Sequence, residues 1–177
     1  PHMPYKALIM SILISPMIVP LIITAAGMFF FYARINLVYT FTGVILAHVA
    51  LATPFVVITV TATLVGFDMN MVKAAQSLGA KPMRTFFKVI MPLILPGIIS
   101  GALFAFITSF DEVVIVMFMA SIDQLTIPKQ MWAGIRQEIS PVILCMATCL
   151  VILSIVLLTT VELLRRRAER LRGIKAR

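Results

Sequence analysis

The stretch from Ile35 to Phe67, INLVYTFTGVILAHVALATPFVVITVTATLVGF, contains no charged residue. A hydrocarbon core roughly 30 Å thick is crossed by about 20 helical residues rising about 1.5 Å each, so this run is long enough to span a bilayer. A helix satisfies every backbone group internally, and the alternating pattern of a barrel strand is absent. Three further runs repeat the signal. One goes from Ala7 to Ile35 with only Arg34 near its end. Another begins at Val89, meets no charge until Asp111 and Glu112, and then continues apolar through Ile122; the last spans Ile139 to Val161. Of 177 residues, 61% are hydrophobic and 12% charged, more apolar surface than a soluble core of this size can hide. The chain reads as all-α, a polytopic membrane protein with four transmembrane helices in a single domain over residues 1–177.

The net charge of +8 is a topology signal. Lys and Arg near span ends are held on the cytoplasmic side. Lys73, Lys81, Arg84 and Lys88 lie between the second and third runs, and Arg165, Arg166, Arg167, Arg170, Arg172, Lys175 and Arg177 follow the fourth, so that 11 of the 15 basic residues share one side. Four spans then place both termini in the cytoplasm with Lys6, and leave Arg34, Lys129 and Arg136 outside. Residues 162–177 form a basic cytoplasmic tail suited to lipid headgroups. Nucleic-acid binding is disfavoured, because no basic patch is interleaved with aromatics on a soluble domain. A Gly-x-x-x-x-Gly-Lys-Ser/Thr phosphate loop is also absent, so any energy source is external or ionic. Pro1 opens the chain without an initiator Met, which a cloning scar at His2-Met3 or a longer parent chain would each explain. Cys145 and Cys149, one helical turn apart, are expected to be buried packing thiols.

Between the second and third runs stands VKAAQSLGAKPMRTFFKVIMPLILPG, Val72 to Gly97. Asp68 is placed to cap a short helix through Ala74, Ala75 and Leu78, which Gly79 is suited to end. Pro82 is tolerated in the first turn of a second helical piece that carries Phe86 and Phe87 toward Pro92. Such a helix, bend, helix segment can lie across the membrane surface or plug into a partner.

Ala74-Ala75, three residues, Gly79, nine residues, Val89, one residue, Met91-Pro92 resembles the "EAA" loop of permease subunits in bacterial ATP-binding-cassette importers. Register is kept over the twenty residues from Lys73 to Pro92. Lys73 stands where that family has Glu, a charge reversal at one polar contact. Ser109-Phe110-Asp111-Glu112-Val113-Val114, with Thr126-Ile127-Pro128-Lys129-Gln130-Met131-Trp132 and Ile135-Arg136-Gln137-Glu138-Ile139-Ser140-Pro141, is similar to the spermidine/putrescine branch, particularly its C-type subunit. The resemblance implies the C-terminal four-span part of a six-span permease of the bacterial inner membrane, with two spans preceding Pro1. It also implies that residues 68–91 are a cytoplasmic coupling loop seated in an ATPase partner, with Lys73, Ala74, Ala75, Gly79, Ala80 and Pro92 as coupling residues. The chain would need no cofactor of its own, ATP-Mg being bound by that ATPase. Its further partners would be a second permease subunit, identical or different, a periplasmic substrate-binding protein, and membrane lipid.

Single residues refine this expectation. Asp111 and Glu112 fall in the outer half of the third span, where acidic groups face a cavity or water. They line the path of a cationic substrate such as a polyamine, or mark the periplasmic end of the span, or pair with Arg136. Gly97, Gly101, Ala105 and Ser109, at steps of four, make a small-residue stripe for close helix approach, between permease subunits or within the chain. Pro92 and Pro96 suit a bend at the cytoplasmic end of that span, and Pro16, Pro20 and Pro54 can kink the earlier ones. His48 reads as a hydrogen-bonded packing histidine, with a proton relay as the alternative. Trp132 and Lys129 suit an outer interfacial segment. An ion-coupled secondary transporter using Asp111, Glu112 or His48 is the competing function, and an intramembrane enzyme is disfavoured because no nucleophilic or metal-ligand grouping appears.

Overall fold

The computed structural model describes residues 4–137 and 141–171, and every regular element among them is helical. Three helices are long and apolar enough to cross a membrane, and a fourth crossing exists if one sharply bent pair is counted as a span. That pair is the expected first span. Helix α1, Lys6–Ile18, and helix α2, Leu21–Arg34, meet at an angle of 112°. Pro20 is the cause: it has no N–H to offer α1 and holds Val19 extended (φ −74°, ψ 135°), as a residue before proline prefers. The run from Ala7 to Ile35 is therefore a broken pair and not one straight helix.

Helix α3, Phe41–Val65, begins six residues later than the uncharged run suggests. Asn36 and Tyr39 take left-handed backbone angles (φ 56° and 62°) that turn the chain, and Thr40 caps the helix by accepting the Gly43 N–H at 3.0 Å. Pro54 sits inside α3 and is fully buried. After α3 the chain forms α4, Met69–Ser77, then α5, Pro82–Thr85, a π-turn at Phe86–Ile90, and α6, Met91–Phe110. From Pro82 to Phe110 these pieces make one 29-residue apolar helix, so the third span begins well before Val89. It also ends sooner than Ile122. The helix stops at Asp111, and the following apolar residues fold back as α7, Val114–Met119.

Two helices complete the fold. Helix α8, Ile127–Gln137, leads to α9, Pro141–Leu171, a 31-residue helix that carries the fourth apolar run straight into the basic segment. There Arg166 Nε donates to Glu162 Oε1 at 2.8 Å. Ile139 at the head of the expected fourth span, and Arg172, Lys175 and Arg177 of the tail, lie outside the described residues, as do His2 and Met3. Cys145 and Cys149 are exposed on α9, not buried, because α9 stands at the margin of the bundle.

Packing is concentrated in two places. Gly97 and Gly101 of α6 lie against α3: a Cβ on Gly97 would fall on the Thr63 hydroxyl, and one on Gly101 would meet Val56 Cα at 3.0 Å. Phe55 and Phe104 stack beside this seam with ring centroids 6.3 Å apart. The second place is a core in which Ile115 and Met119 of α7, fully buried, pack on Ala25 of α2 and on Ala47 and Leu51 of α3. The small-residue stripe thus serves contact within the chain, with Gly97 and Gly101 buried and Ala105 half-buried. Gly97→Leu or Gly101→Leu is expected to destabilise the folded chain by about 1–3 kcal/mol through overpacking, whereas Gly27→Ala, at a position with nothing within 4 Å, should not. Thermal unfolding of the three variants in detergent checks the pattern.

Candidate functional site

Candidate functional residues gather at the two ends of the long helix formed by α5, the π-turn and α6. At one end stands the segment from Asp68 to Pro92. Asp68 Oδ1 accepts the Asn70 N–H at 2.9 Å and starts α4. The helix ends at a glycine cap: Gly79 takes φ +77°, its N–H donates to Gln76 O at 2.9 Å, and the Ala80 N–H donates to Ala75 O at 3.0 Å. These are the paired bonds of a Schellman motif, which requires the left-handed angle that glycine adopts freely. The spacing of Ala75, Gly79 and Ala80 is therefore a capping geometry. Pro82 opens α5, and Thr85, only 2% exposed, turns its hydroxyl back to Lys81 O at 3.2 Å.

This segment presents apolar side chains outward. Leu78 is 88% exposed, and Met83, Phe87, Met69 and Met71 are exposed as well. Lys73 and Ala74 share that exposure, while Ala75, Ala80 and Pro92 are half-buried. Such a cluster of exposed apolar groups marks a surface that contacts either lipid or another protein, and Met83 and Phe87 belong to the apolar helix that runs on to Phe110. The π-turn joins it to α6: Met91 N–H reaches back to Phe86 O, just before Pro92, which can donate no backbone bond.

The opposite end holds His48, Ser109, Asp111 and Glu112. Asp111 is exposed at the end of α6. Its neighbour Glu112 is 5% exposed, and its carboxylate accepts the Ile115 N–H at 2.7 Å and the Val116 N–H at 3.1 Å, so it closes the first turn of α7. These are charge-assisted bonds to otherwise orphaned donors. His48 of α3 shares a hydrogen bond of 2.7 Å between Nδ1 and Ser109 Oγ, and its buried Nε2 stands 3.9 Å from Glu112 Oε2 without a hydrogen-bond partner among the described residues. The histidine is thus hydrogen-bonded in packing between helices, and Ser109 leaves the small-residue stripe to meet it.

Three clefts open beside these residues, the first of about 420 Å³ and lined by Phe106, Phe110, Asp111, Pro128 and Met131 among others. A second, of about 340 Å³, is lined by His48, Ser109, Glu112, Thr126 and Pro128 among others. A third, of about 330 Å³, is lined by Leu51, Thr108, Asp111 and Glu112 among others. Arg136 places its guanidinium 5.9 Å from the Trp132 ring centroid, and among the described residues no ion pair joins it to Asp111 or Glu112, the pairing that the sequence left open. The capping role of Glu112 was not anticipated. Its signal was a carboxylate set directly before the apolar run Val113 to Met119.

Comparison with known proteins agrees with this architecture. The family model for the binding-protein-dependent transport system inner membrane component matches residues 2–170. The chain is 30% identical over 162 residues to the spermidine/putrescine transport system permease protein PotC of Haemophilus influenzae, covering 92% of this chain and 63% of that protein. It is 29% identical over 161 residues to PotC of Escherichia coli, covering 91% and 61%. The putrescine transport system permease protein PotI of Escherichia coli is 37% identical over 103 residues, 58% of this chain and 37% of PotI. The chain spans about three fifths of the length of the PotC relatives it matches. A match from residue 2 to residue 170, over a bundle of apolar helices, establishes that the chain belongs to the family of binding-protein-dependent transport system inner membrane components.

Proposed function

We propose that this chain forms the translocating core of a permease subunit in an ATP-driven importer of the bacterial inner membrane, carrying a small cationic solute of the polyamine class. The observation that carries this reading is the Asp68–Pro92 segment. It is a capped helix, a left-handed glycine bend and a second helix, with Leu78, Met83 and Phe87 turned outward and a direct helical connection into α6. In this reading the segment seats in a cytoplasmic ATPase that binds ATP-Mg, and Lys73, Ala74, Ala75, Gly79, Ala80 and Pro92 set its shape and contacts. A second permease subunit completes the pathway and a periplasmic binding protein delivers the solute. The C-terminus lies in the cytoplasm with the basic loop.

The polyamine assignment draws on the names of the PotC and PotI relatives and on the acidic pair. A polyamine is a flexible chain of ammonium groups, and carboxylates beside a cleft offset the loss of their hydration. Asp111, exposed at the cleft, meets the cation. Glu112 acts one step back by holding α7 in place, so the two carboxylates have different functions. No bond chemistry is required of the chain; ATP-driven closure of the ATPase moves the loop and changes which side of the membrane the cleft faces.

Both parts of this reading are testable in the full-length permease complex. Gly79→Pro together with Ala75→Asp should abolish co-purification of the ATPase while the permease still inserts and folds. Retention of the ATPase at the native level, with uptake intact, would show the coupling assignment to be wrong. Asp111→Asn should lower polyamine uptake in proteoliposomes with the melting temperature unchanged. Glu112→Gln should lower uptake and also destabilise by about 1.5–3 kcal/mol, because the amide cannot accept both α7 N–H groups as a carboxylate does. Unchanged uptake in a stable Asp111→Asn protein removes that residue from the path.

A further inference from the structure

Helix α8 has a function that the importer reading does not assign. It is amphipathic over Ile127–Gln137: Ile127, Trp132 and Ile135 are exposed on one arc, and Lys129, Gln130 and Arg136 occupy the other. Exposed apolar groups on a short helix need a cover. The position of the helix says what the cover is. Gln137 and Pro141 are four residues apart, so the end of α8 lies at most about 14 Å from the start of α9. The contact is closer still at Gly134, where an added Cβ would meet Ile143 Cδ1 at 2.8 Å. Helix α8 therefore rests on the first turn of an apolar spanning helix, at the depth where hydrocarbon gives way to headgroups.

The surface of α9 supports the same conclusion. None of its most apolar stretch is buried within the chain, and Val142 and Leu144 are exposed beside α8. On α8, Ile127, Pro128 and Met131 line clefts within the chain, while Trp132 and Ile135 are exposed. The chemistry of α8 suits the interface: an indole with an apolar body and a polar N–H, the Arg136 guanidinium over the ring, and Lys129 on the cationic arc. We infer that α8 is an interfacial helix, lying in the headgroup layer of the leaflet opposite the Asp68–Pro92 loop, with Trp132 and Ile135 in the upper hydrocarbon and Lys129 and Arg136 at the phosphates. The bilayer, not a protein, covers this face. It fixes the entry of α9 and, through Thr126 to Pro128, one wall of the cleft beside Glu112.

Trp132 is the single tryptophan of this sequence and reports on the inference directly. The full permease complex would be reconstituted in phosphatidylcholine vesicles whose acyl chains carry bromine near the glycerol end or near the methyl end. The Trp132 signal is obtained by subtracting a Trp132→Phe complex. The expected result is loss of most Trp132 emission with bromine near the glycerol end, less loss with bromine near the methyl end, little loss to aqueous iodide, and no change when the soluble binding protein is added. Quenching by iodide without quenching by either bromolipid overturns the inference, as does shielding or a spectral shift on adding the binding protein, which would make this face a protein-docking surface. A nitroxide on Ile135→Cys gives an independent reading. It should be more accessible to membrane-dissolved oxygen than to an aqueous nickel chelate, and the reverse order also overturns the inference.

Discussion

Helices gain little hydrophobic free energy by leaving lipid for one another, since lipid tails are as apolar as leucine side chains. What holds this bundle is close approach, and the seam between α3 and α6 supplies it. Gly97 and Gly101 remove the side chains that would separate the two backbones, and Thr59 and Thr63 fill the space without adding unpaired polar atoms. The Thr63 hydroxyl donates to Thr59 O at 2.9 Å and the Thr59 hydroxyl to Phe55 O at 2.9 Å, so both threonines satisfy themselves on their own helix. Everything else is referred to this pair. Helix α7 packs on the α3 side through Ala47 and Leu51, and the Asp68–Pro92 segment leaves through the base of α6.

The end of α6 uses a different device. After Phe110 the chain must leave a spanning helix and begin another without stranding backbone donors in an apolar setting. Glu112 meets that need, because one carboxylate accepts two α7 N–H groups. The carboxylate is buried, and His48, itself held by Ser109, stands with Nε2 3.9 Å from it. The result is a polar link joining α3, α6 and α7. Asp111, one residue earlier in the chain, is left free at the surface, so adjacent carboxylates of the same chemical type have different environments.

The membrane class, the helical fold and the loop chemistry were legible because each rests on local signals. Length without charge specifies a span, Asp68 and Gly79 specify the ends of α4, and Pro82 specifies the start of α5. Boundaries set by tertiary contact were not legible. An apolar run looks the same whether it is straight or bent, so the 112° break at Pro20 could be read only as an optional kink. Likewise Val113 to Ile122 has the composition of a continuing span, and only packing on Ala25, Ala47 and Leu51 makes part of it a returning helix. The small-residue stripe was visible, but its partner was not, because spacing on one helix does not name the helix that fills the groove. For Glu112 the sequence showed a charge near a span end; the cap became apparent only once α7 was known to start there.

The π-turn at Phe86–Ile90 bears on how the two ends of the long helix can communicate. A rigid α-helix from Pro82 to Phe110 would transmit any displacement of its base as a tilt of the whole rod, including the end that carries Asp111. A π-turn has one residue too many for the α-helical ladder and is held by longer-range backbone bonds. Here it sits directly ahead of Pro92, where the ladder must already lose a donor. Bending is therefore cheapest at this point, below Gly97, where the seam with α3 begins. The seam above that point is close-packed, with Gly97 and Gly101 against α3 and the Thr59 and Thr63 hydroxyls bonded within α3. One continuous helix thus joins Pro82 to the end that carries Asp111, and its most compliant point lies outside the packed region.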